Sequence, residues 1–267
     1  MDQNPTPEPP QFANYPRPSQ GAPIWNGRPP GVYFDAIGDA WRIFQQDAGT
    51  WVGASLVVGI IYVILQIPSQ VIQFSHLSPA TASDGPFGPA ASLPPELLLA
   101  VIALGLLAGL LHYCMLVSMM RMGSQAALGL PVSLGDIFYG FRRFASYAGA
   151  YVTMGFAVGL GSMLCLVPGI YLGGALAFAP LVAISTDLSA IDSIKTTFQA
   201  AKPHAWAIFA LLFVLGLILI AGVFACGIGV LLTLPIYCIA LGIHYNYFFP
   251  PVLSGEPAPY EPGFYNQ

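Results

Sequence analysis

Charge is the scarcest commodity in this chain: Asp, Glu, Lys and Arg together make up 7% of its 267 residues, against 56% apolar residues. So few polar side chains cannot cover a soluble globule of this length, and the long uncharged runs read as transmembrane helices. With only eight Lys and Arg and a formal charge of −4, there is no basic patch that could hold nucleic acid. Cysteine is also sparse. Cys114, Cys165, Cys226 and Cys238 all sit inside apolar runs, with no CxxC or Cys/His ligand spacing. They read as buried thiols acting as small hydrophobes, and a Cys165–Cys226 bridge has no spacing signal in its favour. No GxSxG or HExxH occurs anywhere, and no catalytic, cofactor-binding or metal-ligating residue is assigned. The opening MDQNPTPEPP lacks a basic region followed by an apolar one, so the first membrane helix is expected to direct insertion as well.

Six spans are expected, at residues 51–74, 97–120, 144–167, 168–186, 205–226 and 228–249, each close to the roughly 20 residues that cross a hydrocarbon core. The Pro168-Gly169 pair splits one long apolar stretch and predicts a tight hairpin between the third and fourth spans. Gly227-Ile228-Gly229 does the same between the fifth and sixth. The fourth span is short and interrupted by Pro180, so a re-entrant hairpin is its alternative. Before residue 32 the chain is a Pro-rich tail, expected to be disordered with polyproline II character. The membrane domain is placed at 32–250, with a short tail at 251–267.

The basic residues orient these spans. Arg17, Arg28, Arg42, Arg121, Arg142, Arg143, Lys195 and Lys202 all fall in segments that one topology puts on a single side. Under the positive-inside rule that side is the cytoplasm, with both termini inside. The acidic Glu256 and Glu261 of the C-terminal tail do not oppose this, because acids contribute little to orientation.

An internal repeat accompanies the hairpins. Each follows a short amphipathic stretch: Tyr33, Ile37, Trp41 and Phe44 in the first, Leu134, Ile137, Phe138 and Phe141 in the second, Leu188, Ile191, Ile194 and Phe198 in the third. Ser133-x-x-Asp136 and Ser189-x-x-Asp192 have capping-box spacing, and Asp35 is expected to cap the first helix. Trp51, Tyr147 and Trp206 are expected at headgroup level. The predicted fold is therefore all-α: six transmembrane helices in three hairpins, each preceded by a cytoplasmic amphipathic helix whose apolar face meets the acyl boundary.

No Asp, Glu, Lys or Arg lies in the middle of a span, which removes the usual machinery of proton-coupled pumps. Gln66, Gln70 and Gln73 recur at helical spacing beside Pro68, and His112 lies in the second span with Ser118 nearby. His112 is read as an interhelical hydrogen-bonding residue. His244, with Tyr245, Tyr247, Phe248 and Phe249, is read as an interfacial belt. Gly105-x-x-x-Gly109, Gly155-x-x-x-Gly159 and Gly169-x-x-x-Gly173 allow close helix approach, within the chain or, as the alternative, in a homo-oligomer. Pro68, Pro180 and Pro235 can bend their spans.

The run Cys165-Leu-Val-Pro-Gly-Ile-Tyr-Leu-Gly-Gly-Ala-Leu-Ala-Phe-Ala-Pro-Leu181, continuing into Ser189-Ala-Ile-Asp-Ser-Ile194 and Trp206-x-x-Phe209, resembles a broad group of bacterial integral membrane proteins of unassigned molecular function. These are related to the membrane domain of glycerophosphoryl diester phosphodiesterases. The layout matches over about residues 34–250, the motif over 167–209. Ser185-Thr186 stand where that family often has Glu, with Asp187 just after. The resemblance implies a polytopic cytoplasmic-membrane protein and carries over no catalytic residue. The expected function is a non-enzymatic accessory or scaffold in envelope or lipid homeostasis, partnered by the lipid bilayer and by a protein or a second copy through the glycine faces. A transporter or channel for an uncharged or lipid-like solute is the alternative.

Overall fold

A computed structural model describes residues 28–75, 94–225 and 227–250. Most of the N-terminal tail with Arg17, the connection at 76–93, Cys226 and the C-terminal tail with Glu256 and Glu261 lie outside the described residues. Within them the chain is helical: α1 (Ala36–Gln46), α2 (Ala48–Ser75), α3 (Pro95–Ala127), a 3-10 segment (Leu134–Arg143), α4 (Phe144–Leu164), α5 (Leu166–Ala175), α6 (Ala179–Ser185), α7 (Ala190–Ala201), a 3-10 turn (Lys202–His204), α8 (Ala205–Phe224) and α9 (Val230–Phe248). Six stretches are long and apolar enough to cross a membrane, with α5 and α6 together making the fourth. The all-helical six-span architecture expected from the pattern is therefore present.

α9 is the hub. Buried residues make up 72% of the most apolar stretch of Val230–Phe248 and 61% of Leu166–Ser185, against 11–22% in the other four spans. The central helix is also among the less hydrophobic ones, with mean hydropathy 1.3 against 3.0 for the span containing α8. Lipid tails are as apolar as leucine, so a membrane bundle is held by close packing and hydrogen bonds rather than by hiding apolar surface. The packing is tightest where α9 crosses α3. A Cβ added at Gly242 would lie 2.3 Å from the Ser124 nitrogen and 2.4 Å from the Met120 carbonyl oxygen, and one at Gly123 would lie 2.6 Å from the Ile239 Cα.

The amphipathic segments all dock at the end of the bundle that gathers the described basic residues. Each lies against the hairpin before it: the 3-10 segment on α3 and α7 on α4 and α6, while α1 closes the cycle on α9. Ser133 and Asp136 form the expected capping box, the Asp136 carboxylate accepting from the Ser133 N–H at 2.8 Å and its hydroxyl at 3.0 Å. Ser189 accepts from the Asp192 N–H at 3.2 Å. Asp35 occupies the N-cap position of α1 but does not cap it. Its carboxylate instead accepts from Arg28 at 2.6 Å, and that hydrogen bond holds it below the usual carboxylate range.

Several expectations are corrected. The hairpin before α5 turns at Cys165, in extended conformation. Pro168 sits inside the first turn of α5, where no N–H is needed. Gly169 serves a different purpose: its Cβ would lie 2.8 Å from Ser162 backbone atoms, so it lets α4 and α5 meet. The re-entrant alternative fails, because the chain runs the whole length of α4. Gly161 faces Gly169 at one end, and Asp187 pairs with Arg143 at the other. The fourth span does break, at residues 176–178, with Pro180 in the first turn of α6. The second span continues to Ala127, so Arg121 lies in a helix and is buried. The second amphipathic stretch is 3-10 rather than α, turning about Ile137 and Gly140. Gly227 carries the α8–α9 turn with φ +73°, as its glycine signal predicts.

Facing also differs. Ser193, Thr197 and Ala201 are the buried positions of α7, while Ile191 is exposed. Leu134, Phe138 and Phe141 are exposed on the 3-10 segment, and in α1 the buried set is Ala36, Ala40, Ile43 and Phe44 while Trp41 is exposed. The second and third stripes are thus divided: Ile137 is buried and Leu188 packs on the core, while Leu134, Phe138, Phe141 and Ile191 face out. Trp51 and Tyr147 are fully buried rather than interfacial, and the Tyr147 hydroxyl donates to the Leu110 carbonyl at 2.8 Å. Trp206 is exposed, as an interfacial ring requires. Cys114 and Cys238 are buried, but Cys165 is exposed.

Candidate functional site

The polar residues singled out in the first hairpin come together, though not all of them. Tyr62 and Gln66 lie one turn apart on α2, and the Gln66 amide nitrogen donates to the Tyr62 hydroxyl at 3.1 Å. Across the hairpin the His112 ring of α3 meets the Tyr62 ring at 4.5 Å between centroids. Two polar atoms of this cluster, Gln66 Oε1 and His112 Nδ1, are buried without a hydrogen-bond partner. His112 therefore touches its neighbour helix through a ring contact, where a hydrogen bond was expected. Beside the cluster one face of α2 lines an open groove of about 740 Å³, in which Tyr62, Gln66 and Gln70 sit among Val63, Ile67 and Phe74. Nothing is described of the Gln73 side chain. An orphaned acceptor in an apolar setting costs about 1–3 kcal/mol unless a ligand or water supplies a donor. The groove can therefore take an amphiphile with a donor group.

Ser118 does not join this cluster. Its hydroxyl donates to the Cys114 carbonyl at 2.8 Å and accepts from the Gly140 N–H at 3.0 Å, which seats the 3-10 segment on α3. Ser162 lies exposed at the α4–α5 turn, its hydroxyl donating to the Val158 carbonyl at 2.9 Å. His244 lies at the basic end of α9. Ser162, His112 and His244, the groups that an intramembrane hydrolase would have to bring together, thus lie on separate parts of the bundle. Among the described residues no group of three or more His, Cys, Asp or Glu could hold a metal ion.

The end of α9 is not an interfacial belt: His244 through Phe249 are buried. His244 Nε2 accepts from the Tyr33 N–H at 3.2 Å, while Nδ1 lies 2.7 Å from the Ala240 carbonyl oxygen. That pattern requires the neutral ring with its proton on Nδ1. Two residues on, the Asn246 amide donates to the Ser124 carbonyl at 2.9 Å and its oxygen accepts from the Ser124 hydroxyl at 2.6 Å. These pairs were missed in the sequence. Their signal is a small residue one turn before a polar one, as in Gly242-x-x-x-Asn246, marking a helix crossing.

The glycine faces divide in two. Gly169 is used within the chain, but a Cβ at Gly105, Gly109, Gly155, Gly159 or Gly173 would meet nothing within 4 Å. Close packing inside the chain therefore explains Gly169 and not the other five. Comparisons with known proteins return no matching family model, no matching curated protein and no matching solved structure.

Proposed function

We propose that this chain is a multi-pass protein of the bacterial cytoplasmic membrane, both termini cytoplasmic, acting without catalysis of its own as an accessory or scaffold in envelope or lipid homeostasis. The observation that carries this reading is the α3–α9 crossing. There the C-terminal half of α3 meets the central helix α9 in backbone contact at Gly123 and Gly242, with Met115, Met119, Met122 and Ile239 packed around the crossing. Such a centre favours a rigid platform over a conduit. The open faces at Gly105/Gly109 and Gly155/Gly159 offer that platform two surfaces for a partner helix or a second copy. Orientation follows from the basic residues. A phosphatase inserted between residues 78 and 92 is expected to be active, and a fluorescent protein fused after Gln267 to fluoresce. The reverse pattern would sink the topology.

The second reading, transport of an uncharged or lipid-like solute, draws on the groove beside Gln66 and His112. Native mass spectrometry of the protein extracted with its lipid separates the two. On the accessory reading a protein partner or a second copy is retained, and His112→Ala changes neither the retained species nor the thermal midpoint by more than about 1 kcal/mol equivalent. An amphiphile held at fixed stoichiometry and lost in His112→Ala would replace this reading by the second.

A further inference from the structure

The described arginines fall into two kinds. Arg28, Arg42 and Arg143 each pair with a carboxylate, of Asp35, Asp39 and Asp187 respectively. Arg121 and Arg142 have no carboxylate within salt-bridge distance among the described residues, and both converge on one ring. The Arg121 guanidinium lies 3.6 Å from the centroid of Tyr139, and that of Arg142 lies 5.5 Å from it. Arg121 is only 9% exposed. One of its terminal nitrogens donates to the Gln125 side-chain oxygen at 3.1 Å, but its Nε is buried without a partner. The nearest acid along the segment, Asp136, already accepts from the Ser133 N–H and hydroxyl.

A buried cation stacked on a ring gains some cation–π attraction, yet still lacks a counter-charge for its unused donors. An anion with several acceptor oxygens supplies that charge, and the planar guanidinium fork suits phosphate in particular. The surroundings say where such a phosphate comes from. Leu134, Phe138 and Phe141 are exposed on the same 3-10 segment, which lies at the basic end of α3 and precedes α4. Cationic heads beside an outward apolar face match a headgroup joined to acyl chains.

We propose that Arg121 and Arg142, gathered on the Tyr139 ring, hold the phosphate of an anionic phospholipid, with Leu134, Phe138 and Phe141 against its acyl chains. Tyr139 is the positioning residue, since both guanidinium groups lie against its ring. The site is separate from the α2 groove. Its failure would leave the accessory reading intact, because that reading rests on the α3–α9 crossing.

The test is native mass spectrometry of the full chain in nonionic detergent, titrated with phosphatidylglycerol, phosphatidylcholine or inorganic phosphate. One phosphatidylglycerol should bind at fixed stoichiometry, more tightly than phosphatidylcholine, whose choline opposes the two cations. Arg142→Gln, at an exposed position, should weaken it roughly fivefold, the loss of about 1 kcal/mol per interfacial cation. Tyr139→Phe should retain the lipid and Tyr139→Leu release it. Lys195→Gln, an exposed cation at the same end, should change nothing. Equal binding of the two lipids, or an equal loss in Lys195→Gln, would reduce the effect to general surface charge and overturn the proposal. Displacement of the lipid by millimolar inorganic phosphate would overturn the lipid as the source and leave a soluble phosphate group instead.

Discussion

Gly242→Leu is expected to abolish assembly of the bundle. At Gly242 the α9 backbone approaches α3 so closely that a single added carbon falls 2.3 Å from the Ser124 nitrogen and 2.7 Å from the Gly123 carbonyl carbon. Both neighbours are backbone, so no side-chain rotation can relieve the clash. The helices must separate, and with them go the two Ser124–Asn246 hydrogen bonds four residues further on. Overpacking a well-filled site costs about 1–3 kcal/mol even where side chains can adjust, and here they cannot. In a membrane no hydrophobic force compensates, because the parted faces are simply wetted by lipid. Fluorescence-detected size exclusion should show loss of the monodisperse peak, and any surviving protein should unfold at a markedly lower temperature. Gly105→Leu is the control. Its added atoms meet open space, so the monomer fold should be unaffected. Wild-type stability in Gly242→Leu would mean that α3 and α9 do not cross there.

The six spans were legible because a run of about 20 apolar residues has few fates other than to cross a bilayer. Capping at Ser133 and Ser189 was legible for a similar reason, since the Ser-x-x-Asp pairing is decided within one turn. Facing was not. The stripe on α7 was expected at the acyl boundary and is only partly there, because Leu188 packs on the core while Ile191 is exposed. In a bilayer the outside is equally apolar, so Ile191 faces out and the small Ser193 and Thr197 pack against the bundle. The same inversion hid α9: its His, Asn and Tyr residues suggest a wet end, yet they are the buried glue of the centre. Asp35 misled in another way. Its N-cap position is correct, but Arg28, seven residues earlier, outcompetes the helix N–H groups for its carboxylate. In the candidate site, Gln66 and His112 were legible as polar residues in apolar spans. Their meeting through Tyr62 depends on hairpin register, which no local pattern encodes. Arg121 was placed in a connection because charge ordinarily ends a span. It lies inside α3 because the Tyr139 ring and Gln125 cover it.

His244→Leu is expected to release α1 from the bundle while leaving the six spans folded. Tyr33 precedes α1, and its N–H has the His244 Nε2 as acceptor at 3.2 Å. The Tyr33 ring also stands edge-on to Tyr247 at 5.0 Å, so one short stretch of α9 anchors the segment. Leucine fills much the same volume but accepts no hydrogen bond, which leaves a part-buried donor unpaired at about 1–3 kcal/mol. Because α1 rests chiefly on α9 and touches α2 and α3 only lightly, that penalty falls on local opening rather than on global unfolding. The undocked population should rise roughly 5- to 150-fold. Trypsin reads this directly at Arg42, whose side chain is exposed but lies within a helix that resists cleavage while docked. Cleavage after Arg42 should accelerate with the thermal midpoint of the bundle little changed. His244→Gln should restore much of the protection, since its amide oxygen can take the place of Nε2. An unchanged cleavage rate in His244→Leu would show that the ring contacts alone hold α1. A collapse of the whole bundle would instead make His244 part of the central packing rather than the latch of the amphipathic helix.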